Sequence, residues 1–482
     1  MAVHVPVRLS YDADVDGVYE SVIPASHIHQ ADAQYGFKGV RAYVSDAARA
    51  RIEVVNAGGA YTAAAGLRAG VWARIEDDTT GAVLYTGRIE EVAVSYARAQ
   101  PYATVHLSTS RGDLTAPTES QLLKNTDVKA AVTALLEKVP LASFGGYWLL
   151  GYSALNISTK LYDSGSGSAL SGVEAWTEFH GTGWKAISAA GGYGVRGGEL
   201  DVLRALQELM KAEDGRAVWS RANVLDVYSQ GWLDAARAGI PAHTLTDAVV
   251  RSAAIERGSL YANDVQVVWF PKRWAAGTVL WTLEPETAIS LAPGAHKDWN
   301  VRFKTEGERV VAAEAVVVTA TSTDTLYQEW AGGLAATGGT LRLTNYTGSG
   351  IDLTGISIAG TALLASDEAT ERRRNEYDIS RFGLRSYRLD CSQLDNQALA
   401  GVRADRELAQ ANVNAAYAAR VELRPRTSAD ARQWMGLPFG TLIRLDSDRM
   451  SHDATYLVIG VDWSMTEGAT LADVTLYLEP VP

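Results

Sequence analysis

Ala50-Arg-Ile-Glu-Val-Val-Asn-Ala-Gly-Gly-Ala-Tyr61 decides how this sequence is read. Arg51-Ile52-Glu53-Val54 alternates polar and apolar side chains, the period of a strand with one buried face. Asn56 to Gly59 then supplies turn residues that accept unusual backbone angles. Outward from this stretch, Gly70 to Arg74, Val83 to Tyr96 and Ala103 to Thr109 continue the pattern. In the last of them Val105 and Leu107 face one way, while Thr104, His106 and Ser108 face the other. Residues 1–115 are therefore predicted to form a small antiparallel barrel or sandwich.

Further along, Thr126-Asp127 can cap a helix whose apolar residues Val128, Val132, Leu135, Leu136 and Val139 share one face. Residues 143–198 are rich in Gly, Ser and aromatics, including Trp148, Trp176, Phe179 and Trp184, and read as β-structure with loops. Glu199 to Glu213 is a second amphipathic helix with Val202, Leu203, Leu206, Leu209 and Met210 inward. It leads through Asp214-Gly215-Arg216 into strands Ala217–Ser220 and Val224–Tyr228. Strands are expected at Asp264–Phe270 and Thr278–Leu283, and a Thr-, Gly- and Val-rich stretch over 286–365 reads as an inserted β-sandwich. Its strands are placed at Asn300–Phe303, Ala315–Ala320, Thr340–Asn345 and Ile356–Ala359. A long helix is expected over about Asp395 to Tyr417, then β-structure in which Leu457, Ile459, Val461 and Trp463 alternate, as do Val474, Leu476 and Leu478. No repeat of fixed period is apparent.

At 482 residues, the chain is long enough for roughly three or four domains. The fold class is mainly β (α+β). The division expected is 1–115, a middle α/β domain at 116–250, a further β domain with a long helix from 251–285 and 366–482, and the insertion. A net charge of −12 argues against nucleic-acid binding through basic surface. One cysteine, Cys391, excludes an intrachain disulfide framework and a cysteine-based zinc cluster. The opening residues show no signal peptide, and no stretch approaches the ~18 apolar residues of a membrane span. Folding in a reducing cytoplasm is expected.

Candidate sites are few. Asp12-Ala-Asp14-Val-Asp16-Gly17 copies the first half of a calcium loop, but Ile23 and Pro24 stand where a bidentate Glu is needed, so an acidic turn is the favoured reading. His27 and His29, two apart, would share a strand face and could bind zinc only with a third ligand that the sequence does not identify. Glu371-Arg372-Arg373-Arg374 reads as a solvated charge run, or as arginines able to form bidentate pairs at an interface. Cys391 has no catalytic signature around it. Phosphate-loop, nucleophile-elbow, H-E-x-x-H and dinucleotide motifs are absent, so no catalytic, cofactor-binding or metal residue is assigned and no cofactor is expected.

Four segments carry a resemblance. The first is Ala50 to Tyr61 followed by Gly66-Leu67-Arg68-Ala69-Gly70 and Tyr85-Thr86-Gly87-Arg88-Ile89. The second runs from Ala205-Leu206-Gln207-Glu208-Leu209 to Glu213-Asp214-Gly215-Arg216. The third is Asp264-Val265-Gln266-Val267 with Ile289-Ser290-Leu291-Ala292-Pro293-Gly294 and Leu343-Thr344-Asn345. The fourth starts at Phe382-Gly383-Leu384-Arg385-Ser386 and passes Leu437-Pro438-Phe439-Gly440-Thr441-Leu442-Ile443 and Tyr456 to Val461, closing on Leu476-Tyr477-Leu478-Glu479. Each is weak alone. In this order, with 143–198 the main gap, they resemble the tail-tip (baseplate) hub proteins, or minor tail proteins, of long-tailed bacteriophages.

That resemblance implies two barrel-like hub domains, an α/β middle domain and the β-sandwich insertion. It also implies a homotrimer that adapts a six-fold tail tube to a three-fold tip, in the virion and made in the host cytoplasm. Its partners would be a ring-forming distal tail protein, the tape-measure protein and tail-tip or fibre proteins, with DNA present only in transit and no stable membrane insertion. The chain stops at Pro482, just past the hub region, so receptor binding or wall cutting is expected on another chain. The acidic balance suits a lumen lined with carboxylates that repels phosphates, a hypothesis that a mainly basic channel lining would defeat. Two other readings stand beside this one: a carbohydrate-binding adsorption module using Trp176 and Trp184, and a cell-wall hydrolase with carboxylates the sequence does not locate.

Overall fold

The computed structural model describes residues 3–13, 18–61, 67–97, 100–109, 121–123, 132, 159–162, 170–171, 193–195, 202–223, 225–257, 261–305, 308–335, 337–392, 394, 397–412, 417–466 and 470–481. Seven strands open the chain: β1 (Val7–Tyr11), β2 (Ser21–Ile23), β3 (Ile28–Gly36), β4 (Arg49–Val55), β5 (Trp72–Asp77), β6 (Val83–Ala97) and β7 (Gln100–Ser108). The alternation in β4 does what its sequence predicts. Ala50, Ile52 and Val54 are buried, while Arg51 and Glu53 are half-exposed. The strands lie in the order β2-β1-β5-β6-β7-β4-β3.

Helix α1 (Val202–Glu213) buries Leu206, Leu209 and Met210 and ends at Asp214-Gly215, as the turn residues predict. Strands β8 (Arg216–Trp219) and β9 (Leu225–Tyr228) pair antiparallel. Helix α2 (Gln230–Arg237) follows, capped by Ser229, whose hydroxyl accepts from the Trp232 N–H at 3.2 Å.

β10 (His243–Thr246) and β11 (Val250–Arg257) come next, then β12 (Asp264–Trp269). The inserted sandwich, expected over 286–365, contains β13 (Lys272–Leu283), β14 (Ile289–Leu291), β15 (His296–Arg302), β16 (Arg309–Ser322), β17 (Tyr327–Ala335), β18 (Gly338–Thr344) and β19 (Ile351–Ala365). β13, expected in the flanking domain, pairs with β19 and so belongs to the sandwich. β19 is central in one sheet, with β13 and β14 along one edge and β16 along the other. β15, β18 and β17 make the second sheet. Leu280, Leu341, Leu343, Ile351, Leu353 and Ile358 form their shared core.

β20 (Ala369–Arg374) and β21 (Ser386–Asp390) flank β12, with α3 (Glu376–Phe382) between them in sequence and α4 (Gln397–Asn412) packed on the sheet. The chain ends with β22 (Tyr417–Leu423), α5 (Ser428–Met435), β23 (Leu442–Ser447), β24 (His452–Thr466) and β25 (Thr470–Pro480).

These last strands, with β10 and β11, rebuild the first unit. Their order is β10-β23-β24-β25-β22-β11, against β1-β5-β6-β7-β4-β3, and the order along the chain matches too. The correspondence holds residue by residue. Ala50-Arg-Ile-Glu-Val54 faces Ala103 to Leu107 in β7 as Ala419-Arg-Val-Glu-Leu423 faces Val474 to Leu478 in β25. Both units carry one extra residue at matching places, His29 and Arg251 in one strand pair, Glu90 and Ile459 in another. Both bend at a glycine with positive φ: Gly70 (91°) donates its N–H to the Ile89 carbonyl at 2.8 Å, and Gly440 (85°) to that of Val458 at 2.8 Å. One pair differs, since β10 runs parallel to β23 whereas β1 runs antiparallel to β5.

The two units share one sheet. Gly460 to Met465 of β24 pairs antiparallel with Gly36 to Ala31 of β3. Across this joint Trp463 lies opposite Ala33 and Met465 opposite Ala31, all buried.

Several elements differ from expectation. The long helix starts at Gln397 and ends at Asn412, and Tyr417 opens β22, where Tyr-Ala-Ala-Arg-Val-Glu-Leu alternates as a strand does. Helices α2, α3 and α5 are too short, at 8, 7 and 8 residues, for apolar periodicity to announce them. Caps at Ser229, Asn375 and Thr427 were the available signal. Among the residues of the expected helix at 128–139, only Val132 is described, and most of 143–198 lies outside the described residues.

A Cβ built on Gly460 would sit 2.3 Å from the Phe37 carbonyl oxygen, and backbone cannot retreat as a side chain can. Gly460→Ala is expected to destabilise the chain by about 2–4 kcal/mol, read as a fall in denaturation midpoint. Gly39→Ala, with open space around it, is expected to stay within about 0.5 kcal/mol of the parent.

Candidate functional site

The most constrained part of the molecule is the place where its parts meet. On the first unit, Tyr35 of β3 is buried and donates its hydroxyl to the backbone carbonyls of Met435 at 2.7 Å and Leu437 at 3.0 Å. Burial pushes the Tyr35 phenol well above its ordinary range, so it stays a donor. Arg432, on α5, pairs with the buried carboxylate of Asp77 at the end of β5. Burial alone would raise the Asp77 carboxyl, but hydrogen bonds from Arg432 and the Thr79 N–H outweigh it and hold it below the usual carboxylate range. Phe37, Tyr228, Trp232 and Phe439 add an aromatic cluster between the first unit, the middle segment and the second unit.

An ionic network continues the joint. Arg403 of α4 is 1% exposed and pairs with Asp214 and, at 2.6 Å, with Glu407. Arg406 pairs with Asp214 at 2.9 Å and also with Asp234. Arg237 reaches Asp234 at 3.4 Å and Glu479 at 2.6 Å, and Arg216 lies 3.8 Å from Glu479. Tyr43 of the first unit accepts from Arg403 at 2.8 Å and lies beneath both Arg403 and Arg216. Four guanidinium groups thus meet four carboxylates contributed by α1's end, α2, α4 and β25. Asp214 occupies the left-handed region at φ 63°, which a non-glycine residue adopts at some cost, and two arginines hold it there. Charge balance makes this network a clamp that joins segments distant along the chain.

The charge run Glu371 to Arg374 is a strand, β20, and its arginines pair within the chain. Arg372 holds Asp264 with two bonds, at 2.5 and 2.8 Å, Arg374 adds a third at 3.1 Å, and Ser386 a fourth at 2.6 Å. The Arg372 bond leads in holding the fully buried Asp264 carboxyl well below the usual range. Arg373 pairs with Asp405 at 2.7 Å, which fastens α4 to this sheet. The bidentate chemistry read from the sequence is present, but it is the solvated-loop reading that fails, because Asp264 on the adjacent strand needs the cations.

The other sequence candidates are not brought together. His27 ends a short 3₁₀ turn, Ala25–His27, and bonds the Tyr61 hydroxyl, whereas His29 lies on β3 beside Glu53 at 3.7 Å and against the Tyr102 ring. The two therefore share no strand face. Asp12 is buried, while Asp14, Asp16 and Gly17 lie outside the described residues, as do Trp148, Trp176, Phe179 and Trp184. Among the described residues no group of three or more His, Cys, Asp or Glu is placed to hold a metal ion. Cys391 is buried in the core under α4. Burial pushes the Asp462 carboxyl up, and Asp32, whose charge adds to the rise, is engaged by Arg51 at 3.0 Å. No described helix is long and apolar enough to cross a membrane.

No protein-family model matches this chain, and no curated protein matches its sequence. Solved structures do match its fold. The tail protein from Neisseria meningitidis MC58 superposes with a TM-score of 0.53 over 99% of this chain and 96% of that one, at 10% identity. The 43 kDa tail protein of prophage MuSo2 from Shewanella oneidensis superposes with a TM-score of 0.50 over 98% of each chain, at 11% identity. The chain has the mainly β fold of these tail proteins along its whole length.

Arg403→Met would strand Glu407 and leave the buried Asp214 with Arg406 alone, and a loss of about 3–5 kcal/mol is expected in chemical denaturation. Asp264 has its folded value depressed, so its contribution is complete above its unfolded value, about 4, and is lost as pH falls below that. Asp264→Asn is expected to cost about 1.5–3 kcal/mol at neutral pH and less at pH 2–3, flattening the acid limb of the stability profile.

Proposed function

We propose that this chain is a structural, non-catalytic component of a bacteriophage tail, and specifically a tail-tip hub. The observation that carries the reading is the duplicated six-stranded unit, supported by the fold shared with two tail proteins over nearly the full length of each chain. A ring of three copies presents six similar units in alternation. It can therefore meet a six-fold tube on one face while remaining three-fold on the other, where the insertion and the three-stranded sheet occur once per chain.

In this reading the first unit spans 1–115 and the second is completed by strands on both sides of the insertion. Neighbours in the tail would be a distal tail protein ring, the tape-measure protein and tail-tip or fibre proteins, and DNA would cross the lumen without being held. Support for a non-catalytic role is chemical. The depressed carboxylates of the joint and the β20 sheet are occupied by arginines, which suits a clamp.

Electron microscopy of the intact particle tests the proposal. The expected result is three copies of this chain closing the distal end of the tube, around the tail axis. Six copies in the tube wall, or a position on a side fibre, would defeat it.

A further inference from the structure

The three-stranded sheet β20-β12-β21 carries a feature that the joint does not use. Between β20 and β21 the chain makes the short helix α3 and a return, and residues 380–386 are all exposed. Three large apolar side chains stand out here: Tyr377 is 66% exposed, Phe382 58% and Leu384 55%. Exposed apolar side chains scattered singly are ordinary, but three on one helix and its return form a patch.

This tip is held in one shape from below. Asn263, fully buried, donates its side-chain amide to the Gly383 carbonyl at 2.8 Å and accepts from the Arg385 N–H at 2.8 Å. Its own N–H reaches the Arg385 carbonyl at 3.0 Å, and its carbonyl accepts from the Asn375 N–H at 2.9 Å. Asn375 in turn caps α3 by accepting from the Asp378 N–H at 3.1 Å. The exposed side chains are ordered too. Arg381 donates to the Tyr377 hydroxyl at 2.8 Å, and its guanidinium lies 5.4 Å from the centroids of both the Tyr377 and Phe382 rings. The Tyr261 ring meets Phe382 edge-on, with centroids 6.3 Å apart. Little side-chain freedom is left to lose on binding. Tyrosine and arginine on a rigid base are the residue types that anchor protein interfaces.

Charge says what the partner must offer. Arg273, Arg388 and Arg444, also exposed, each hold a carboxylate of this chain: Glu308, Asp390 and Asp453. Among the described residues, Arg381 and Arg385 have no carboxylate within ion-pair distance. Their capacity for paired hydrogen bonds is left for carboxylates outside the chain.

We infer that the α3 tip docks a different protein chain, one that presents carboxylates beside an apolar pocket. The pocket takes Phe382 and Leu384, and the carboxylates take Arg381 and Arg385. The inference rests on the three-copy reading, which it deepens by naming the surface that meets the next part of the tail. In that reading the duplicated units supply contacts made twice per chain. The three-stranded sheet occurs once, so its tip meets a neighbour rather than another copy.

The test uses assembled particles in which this chain carries a benzophenone amino acid in place of Phe382, irradiated and then mapped by mass spectrometry. The expected product joins residue 382 to a different chain of the particle, at a peptide containing Asp or Glu. Adding Arg381→Glu is expected to lower its yield at least about tenfold, and replacing the mapped carboxylate by Lys to restore it. The isolated Arg381→Glu chain is expected to melt as the parent does, since the side chain is exposed. Four outcomes overturn the inference while leaving the three-copy reading standing: product only with a second copy, product only with nucleic acid or lipid, no product, or a yield that Arg381→Glu leaves unchanged. Absence of this chain from purified particles overturns both.

Discussion

Close backbone approach between β3 and β24 is the constraint on which the rest of the architecture depends. Side chains at Gly36 or Gly460 would collide with backbone atoms of the opposing strand, so the pairing exists only because both positions lack a Cβ. Through that contact two units, separated by more than a hundred residues of other structure, become one 13-stranded sheet. Apolar burial then reinforces it, since Trp463 and Met465 close over Ala31 and Ala33.

Arginine does the complementary work where sheets do not meet. The Arg403 network places a cation between carboxylates of two segments, and the Asp264 cluster places a carboxylate between two arginines of the adjacent strand. Their net worth against an apolar replacement is small, but removing one member leaves buried charge. Such clamps therefore specify one arrangement of the segments. The depressed carboxylates that might be taken for a reactive site belong to this scheme.

Much of the β-structure was legible because alternation reports one buried face. β4, β6 and β7 follow from it directly, and helix α1 from its apolar stripe. The short helices were not, because seven or eight residues carry too little period. The duplication carries no repeat of fixed period, although Ala, Arg and Glu recur in the same places in Ala50 to Val54 and Ala419 to Leu423. Its second copy is interrupted by the insertion between β11 and β22, so no fixed spacing repeats along the chain. His27 and His29 misled because two-residue spacing implies a shared face only when both lie on one strand, and a 3₁₀ turn intervenes.

By itself the sequence determined the local choices: strand or helix, which side of each is apolar, where glycine permits a bend, and the absence of a recognisable catalytic motif. Tertiary structure alone decided which strands become neighbours, that Asp264 would receive the arginines of β20, and that two distant units would share a sheet. The physical reason is range. Backbone propensity and side-chain periodicity act within a few residues, whereas the joint and the Asp264 clamp arise from contacts between residues more than a hundred positions apart.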